Sequence, residues 1–222
     1  IRLVNPAFGG VIDEVVGKDA FYFGQSVILE PKGHRLPPDV TRTDRQALIF
    51  DANSDGLNDV MLLHDCDDGC RDDLYINTVD AEGKAGKFVD QSATAMPALP
   101  DSNYYRDRRN PVAIDLDNDG DKDVFFRCYT DRLCKYTNKG DGTFSFHDLG
   151  DHDAQDSSMP VVADFNCDGI EDIFLPRNGT NYMYFSNGKG GLYKVTGVLP
   201  DHSEPTRGSA AADVDKDGDM DL

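Results

Sequence analysis

No stretch of this chain approaches the roughly 18 consecutive apolar residues that a membrane span needs. The patterns G-x-S-x-G, H-E-x-x-H and the phosphate-cradling P-loop are also missing, which removes the commonest sequence signs of a serine hydrolase, a zinc peptidase or a nucleotide-binding enzyme. Basic residues are scarce: 22 Lys and Arg stand against 41 Asp and Glu, giving a formal net charge of −19. That balance argues against nucleic acid as a partner, because phosphate backbones call for a basic surface. The chain starts at Ile1 without Met or a signal peptide, so a processed product or a fragment is expected.

What is abundant is Asp, Asn and Gly among short apolar runs, a composition that predicts an all-β chain. Its 222 residues are enough to bury a real core. Much of the acidity falls in four stretches of one form, D-x-[DN]-x-D-G-x-x-D, starting at Asp51, Asp115, Asp164 and Asp213. Oxygen side chains stand at positions 1, 3, 5 and 9. These are Asp51, Asn53, Asp55 and Asp59; Asp115, Asp117, Asp119 and Asp123; Asp164, Asn166, Asp168 and Asp172; and Asp213, Asp215, Asp217 and Asp221.

Carboxylates packed so closely repel one another unless a hard cation sits among them, and Ca²⁺ takes about 6–8 oxygens from such a loop. Glycine at position 6 permits a sharp turn with positive φ. The turn brings in the main-chain carbonyl of position 7 (Leu57, Asp121, Ile170 or Asp219) as a further ligand. Up to four Ca²⁺ are therefore expected, and they would bring the net charge to −11. Loops two and four, with four carboxylates each, should bind more tightly than loops one and three. EF-hands are excluded, because position 12 is Leu62, Phe126 or Leu175 rather than a bidentate Glu.

A β-rich run follows each complete loop: Val60–Leu63, Val124–Phe126 and Ile173–Leu175. The first aspartates are spaced by 64, 49 and 49 residues, a period that predicts a propeller-like array. Each unit reads as four strands. A precedes the metal loop (Ala47–Phe50, Val112–Ile114, Val161–Ala163, Ala210–Ala212), and B, C and D follow, with a glycine turn between C and D. Antiparallel order then places the metal loops and the glycine turns at one end of the sheets. The B–C and D-to-A connections lie at the other end. Blades are expected to start near 47, 111, 160 and 209, with residues 1–46 a separate segment or partial blade. Leu222 follows the fourth loop directly, so the sequence is expected to stop inside a repeat.

The aspartate loop, the strand after it and the turn Asn138–Phe144 resemble the FG-GAP/VCBS repeat. The resemblance spans roughly residues 47–222, and Phe23–Val27 is similar to the FG portion of integrin-like blades. It implies an integrin-α-type, calcium-binding β-propeller of an extracellular, cell-surface or periplasmic protein. Such propellers commonly have seven blades. Either further blades are missing from this chain, or the N-terminal segment completes the last blade of a small ring.

Cys66 with Cys70, and Cys128 with Cys134, flank the B–C connections of the first two blades and are expected to form local disulfides. A zinc site shared by the four sulfurs is the alternative. Disulfides imply an oxidising compartment. Cys167 is left over, as a small loop residue pointing away from the metal. Asn178-Gly179-Thr180 reads either as an N-glycosylation site or as a hairpin turn.

On the face opposite the metal loops, Tyr104, Tyr105, Arg106, Arg108 and Arg109 form a candidate recognition patch. His152 and His202 occupy matching D-to-A positions there, near His147, Asp148, Asp151 and Asp153. The preferred reading is a non-enzymatic binding, adhesion or scaffold module for a protein or glycan. The alternatives are a polysaccharide-lyase-like enzyme using His152, His202 and Arg106, and a structural subunit of a larger surface assembly.

Overall fold

A computed structural model of the chain describes residues 43–65, 71–83, 85–100, 108–128, 132–150, 157–200 and 204–222. Among the described residues twelve strands make three four-stranded sheets, each antiparallel and each in sequential order. Sheet one comprises β1 (Thr43–Phe50), β2 (Asp59–Asp65), β3 (Asp73–Val79) and β4 (Ala85–Asp90). Sheet two comprises β5 (Arg109–Ile114), β6 (Asp123–Arg127), β7 (Leu133–Asn138) and β8 (Phe144–Asp148). Sheet three comprises β9 (Val161–Ala163), β10 (Asp172–Leu175), β11 (Tyr182–Ser186) and β12 (Leu192–Val195).

The expected strand order is thus realised three times. The first strand begins four residues before the expected Ala47, because a bulge between Asp44 and Gln46 lets the pairing with β2 run on to Asp65. At the expected fourth first strand, Ala210–Ala212, no strand forms among the described residues, and an isolated bridge joins Ala212 to Asp221 across the loop.

The runs Val60–Leu63, Val124–Phe126 and Ile173–Leu175 within the strands after the metal loops are apolar throughout because both their faces are covered. In β2, Met61 and Leu63 enter the core shared with sheet two, while Val60 and Leu62 cluster with Tyr75 on the other face. In β6, Val124 and Phe126 face sheet one, and Phe125 joins Ile114, Ile173 and Tyr184 between sheets two and three. Phe126 packs on Tyr136 with ring centroids 4.8 Å apart, and Phe50 meets Phe144 edge-on at 6.3 Å. Removing such a ring costs about 3–5 kcal/mol. Part of the extra length of the first repeat is a one-turn helix, α1 (Ser92–Ala95). It carries Ala95, Met96 and Leu99 into the first core, and its Ser92 Oγ accepts from Leu74 N at 3.0 Å.

A buried polar cluster joins sheets one and two at the end away from the metal loops. Asp72, fully buried, accepts from Arg108 Nε and Nη2 at 2.7–2.9 Å, from Tyr136 Oη at 2.5 Å and from His64 N at 2.8 Å. Arg108 is only 1% exposed. This corrects its expected place in a surface recognition patch: the guanidinium is used up inside the protein. Breaking such a pair by deleting one partner leaves a buried charge and costs about 3–5 kcal/mol.

Candidate metal centres

The four aspartate loops have one backbone shape, and the residues that shape them are those of the repeated pattern. The position-1 carboxylate grips the N–H of position 6 in every loop: Asp51 with Gly56 at 2.7 Å, Asp115 with Gly120 at 3.1 Å, Asp164 with Gly169 at 2.8 Å and Asp213 with Gly218 at 3.2 Å. The position-5 carboxylate accepts from the N–H of position 7, as in Asp119 with Asp121 at 2.9 Å and Asp168 with Ile170 at 2.9 Å. These are Asx turns, in which the side chain takes the part of a turn carbonyl. The glycine of position 6 has φ between +85° and +100° in all four, as the sharp turn requires.

Position 4 also lies in the left-handed region, at Ser54, Asn118, Cys167 and Lys216, with φ from 58° to 66°. Sequence reasoning missed this, because four different residue types stand there. Of these only asparagine is a residue type that visits this region readily, because its short polar side chain can hydrogen-bond locally.

Carboxylate oxygens of Asp115, Asp117 and Asp119 come within 4.8 Å of one another, as do those of Asp213, Asp215 and Asp221. Such a set can hold a metal ion. In loop two Asp123, outside that cluster of three, is 1% exposed, and its Oδ2 has no hydrogen-bond partner among the described residues. Asp117 Oδ1 is likewise buried and unpartnered. A buried carboxylate oxygen without a donor is costly unless a cation balances it. Burial, opposed by the hydrogen bond from Asn138 N at 2.8 Å, holds the Asp123 carboxyl up to about 6. Asp117 is raised by burial and by the charges of Asp119 and Asp115. Burial also raises Asp59 and Asp172.

The position-9 aspartates have a second role that the pattern did not disclose. Asp59, Asp123 and Asp172 accept from Asn77 N, Asn138 N and Ser186 N of the third strand, at 2.7–2.9 Å. Each therefore ties its loop to the strand two places on. Side chains outside the pattern join one loop to the next. Ser54 Oγ donates to Asp121 Oδ1. Glu171 pairs with Lys122 Nζ at 2.5 Å and accepts from Asp115 N at 2.8 Å. Lys135, in β7, lies where the other two sheets have Leu74 and Met183. Its Nζ donates to Gly190 O at 2.6 Å, and its charge lowers Asp117 and Asp123 against the larger upward effect of burial.

Turns between the third and fourth strands lie at this same end. Gly190 N of sheet three donates to Leu116 O at 3.0 Å, and Asn138 Nδ2 of sheet two donates to Ala52 O at 2.8 Å. At Gly190, φ is +77° and an added Cβ would stand 2.8 Å from Lys135 Nζ.

Of the remaining expected residues, Cys128 and Cys134 form a disulfide and are fully buried. Cys167 is free and exposed. Cys66, Cys70, Tyr104, Tyr105, Arg106, His152 and His202 lie outside the described residues. Arg109 is exposed at the start of β5. His147 and Asp148 belong to β8 rather than to a connector, and Asp148 is held by Arg132 Nε at 3.0 Å. Asn178 is exposed, in a turn bridged to Pro205. No helix among the described residues is long and apolar enough to cross a membrane.

No curated protein matches the chain. The family described as FG-GAP-like repeat matches twice, over residues 115–175 and 164–222, each match running from one aspartate loop through the next. Residues 115–222 thus carry FG-GAP-like repeats.

Proposed function

We propose that the chain is the calcium-stabilised propeller part of a protein working outside the cell, where it binds or scaffolds a protein or glycan partner. The observation that carries the metal reading is the interior of loop two. There a loop already held in shape presents buried, unpartnered oxygens from Asp117 and Asp123. All its donors are hard oxygens, the chemistry Ca²⁺ takes, and no sulfur or imidazole stands among them. When bound, the ion would supply the positive charge the carboxylates lack, held by Asp115, Asp117, Asp119 and Asp123 with the carbonyl of Asp121. The equivalent residues of the other three loops would do the same.

The propeller reading is supported by strands β1, β5 and β9, the first of each sheet, which lie side by side, and by sheets packed face to face. FG-GAP repeats are typically adhesion or binding modules, and the Cys128–Cys134 disulfide fits an oxidising compartment. On this reading calcium is structural, the module has no catalytic role, and the partner is met on the face opposite the loops. Calorimetry of the chain in millimolar calcium and in EDTA tests it: the melting temperature should fall sharply on chelation. An unchanged melting curve would remove the metal from the account.

A further inference from the structure

At the end of the sheets away from the aspartate loops lies a cleft of about 330 Å³, within the size range of small-ligand sites. Three arginines line it. Arg109 opens β5, Arg127 closes β6 as the register partner of Arg109, and Arg207 precedes the fourth aspartate loop. In a chain of net charge −19, the described lining of this cleft contains no Asp or Glu. The rest of the described lining is largely hydroxyls and amides, with no aromatic ring in it.

We propose that this cleft binds an acidic sugar, with the arginines taking its carboxylate or sulfate and the neutral polar groups taking its hydroxyls. The proposal rests on the binding-module reading above and names the ligand class and the site. Guanidinium forks match carboxylate and sulfate oxygens in pairs, and a low-charge polar rim offers a sugar the several hydrogen bonds its hydroxyls need. Ser157 Oγ is buried without a hydrogen-bond partner among the described residues. Arg207 is exposed and makes no ion pair or hydrogen bond among the described residues.

The walls are built before any ligand arrives. Asn110 has φ +56°, and its Nδ2 donates to Ser157 O at 2.9 Å. Ser158 Oγ donates to Thr206 O at 3.0 Å, and Asn181 Nδ2 donates to Thr206 Oγ1 at 2.9 Å. Cross-sheet ties of this kind spare the ordering cost of binding. An apolar ligand has no floor to rest on. A peptide carboxylate would leave most of the hydroxyl and amide wall unused.

Titration calorimetry of the whole calcium-loaded chain against four probes tests the assignment. They are a hyaluronan tetrasaccharide (carboxylate only), a chondroitin sulfate tetrasaccharide, neutral chitotetraose and a Glu-rich peptide. Binding of one or both acidic sugars is expected, weakened at least about tenfold by Arg207→Glu and by Arg109→Ala with the melting temperature unchanged. A preference between the two acidic sugars identifies carboxylate or sulfate as the recognised group. Equal binding of chitotetraose, binding of the peptide alone, unaltered binding by Arg207→Glu, or no binding at all overturns the proposal. The EDTA melting shift, recorded on the same samples, separates a failure of this cleft from a failure of the calcium reading.

Discussion

Loops two and four carry the same residues at positions 1, 3, 5, 6, 7 and 9, and among the described residues a following sheet covers loop two but not loop four. In loop two the position-2 residue, Leu116, is fully buried, and its carbonyl accepts from Ser186 Oγ at 2.9 Å and from Gly190 N. In loop four the corresponding Val214 is 75% exposed. Asp123 is buried with one oxygen unpartnered, whereas Asp221 is half-buried and accepts from Val214 N at 2.9 Å. The backbone shape is shared: position 1 grips position 6, and positions 4 and 6 take positive φ in both. The shape therefore belongs to the nine residues themselves. The dryness belongs to the following sheet, whose third strand and glycine turn roof the loop before it.

Chelation should give the largest effect on this comparison. A site saturated about a thousandfold over its Kd contributes about 4 kcal/mol, so EDTA should lower the melting temperature by about 10 °C or more. Hydrogen exchange in EDTA should open loop two's surroundings most. If exchange there is unaltered while loop four changes, burial is not what makes loop two depend on metal.

Next come the two position-9 aspartates. In calcium, Asp123→Ala should cost about 3 kcal/mol or more in urea unfolding, because it removes a ligand and strands Asn138 N–H inside the protein. Asp221→Ala should cost less than about 1 kcal/mol. Equal losses would break the contrast.

Acidity provides a third measurement. The folded Asp123 carboxyl titrates at about 6 against an ordinary value of 3.8, so the metal-free folded state binds its proton more readily than the unfolded chain. That contribution is fully present below 3.8 and is lost as pH rises through 6. Metal-free protein should therefore gain about 1 kcal/mol between pH 7 and pH 5 from this group, and Asp123→Asn should flatten the slope. In calcium the sign should reverse, because protons compete with the ion. Calorimetric scans across that range, with and without calcium, give both slopes.

Exchanging the position-4 residues should move stability least. Lys216→Asn should stabilise, and Asn118→Lys destabilise, by no more than about 0.5 kcal/mol each, because Asn tolerates the left-handed backbone better. A larger change for Asn118 than for Lys216 would show that the roof over loop two amplifies strain.

What the chain's own order determined is what neighbouring residues can settle among themselves. The Asp-Gly pattern writes the Asx turns and the φ > 0 glycine of each loop, and the apolar runs after it write β2, β6 and β10. The 49-residue spacing writes the sheet order, and the close placement of Cys128 and Cys134 allows their bridge. Tertiary structure alone decided that Arg108 is buried on Asp72 rather than offered to a partner, and that Glu171 joins Lys122 to the N–H of Asp115. It also brought Arg109, Arg127 and Arg207 to one cleft, and laid the third sheet over Leu116. The reason is physical. Turns and strand pairing are hydrogen-bond geometry over a few residues, which local residue types can encode. Burial depends on what another sheet, some 50 to 90 residues away, lays over the site, and nothing within the nine residues reports it.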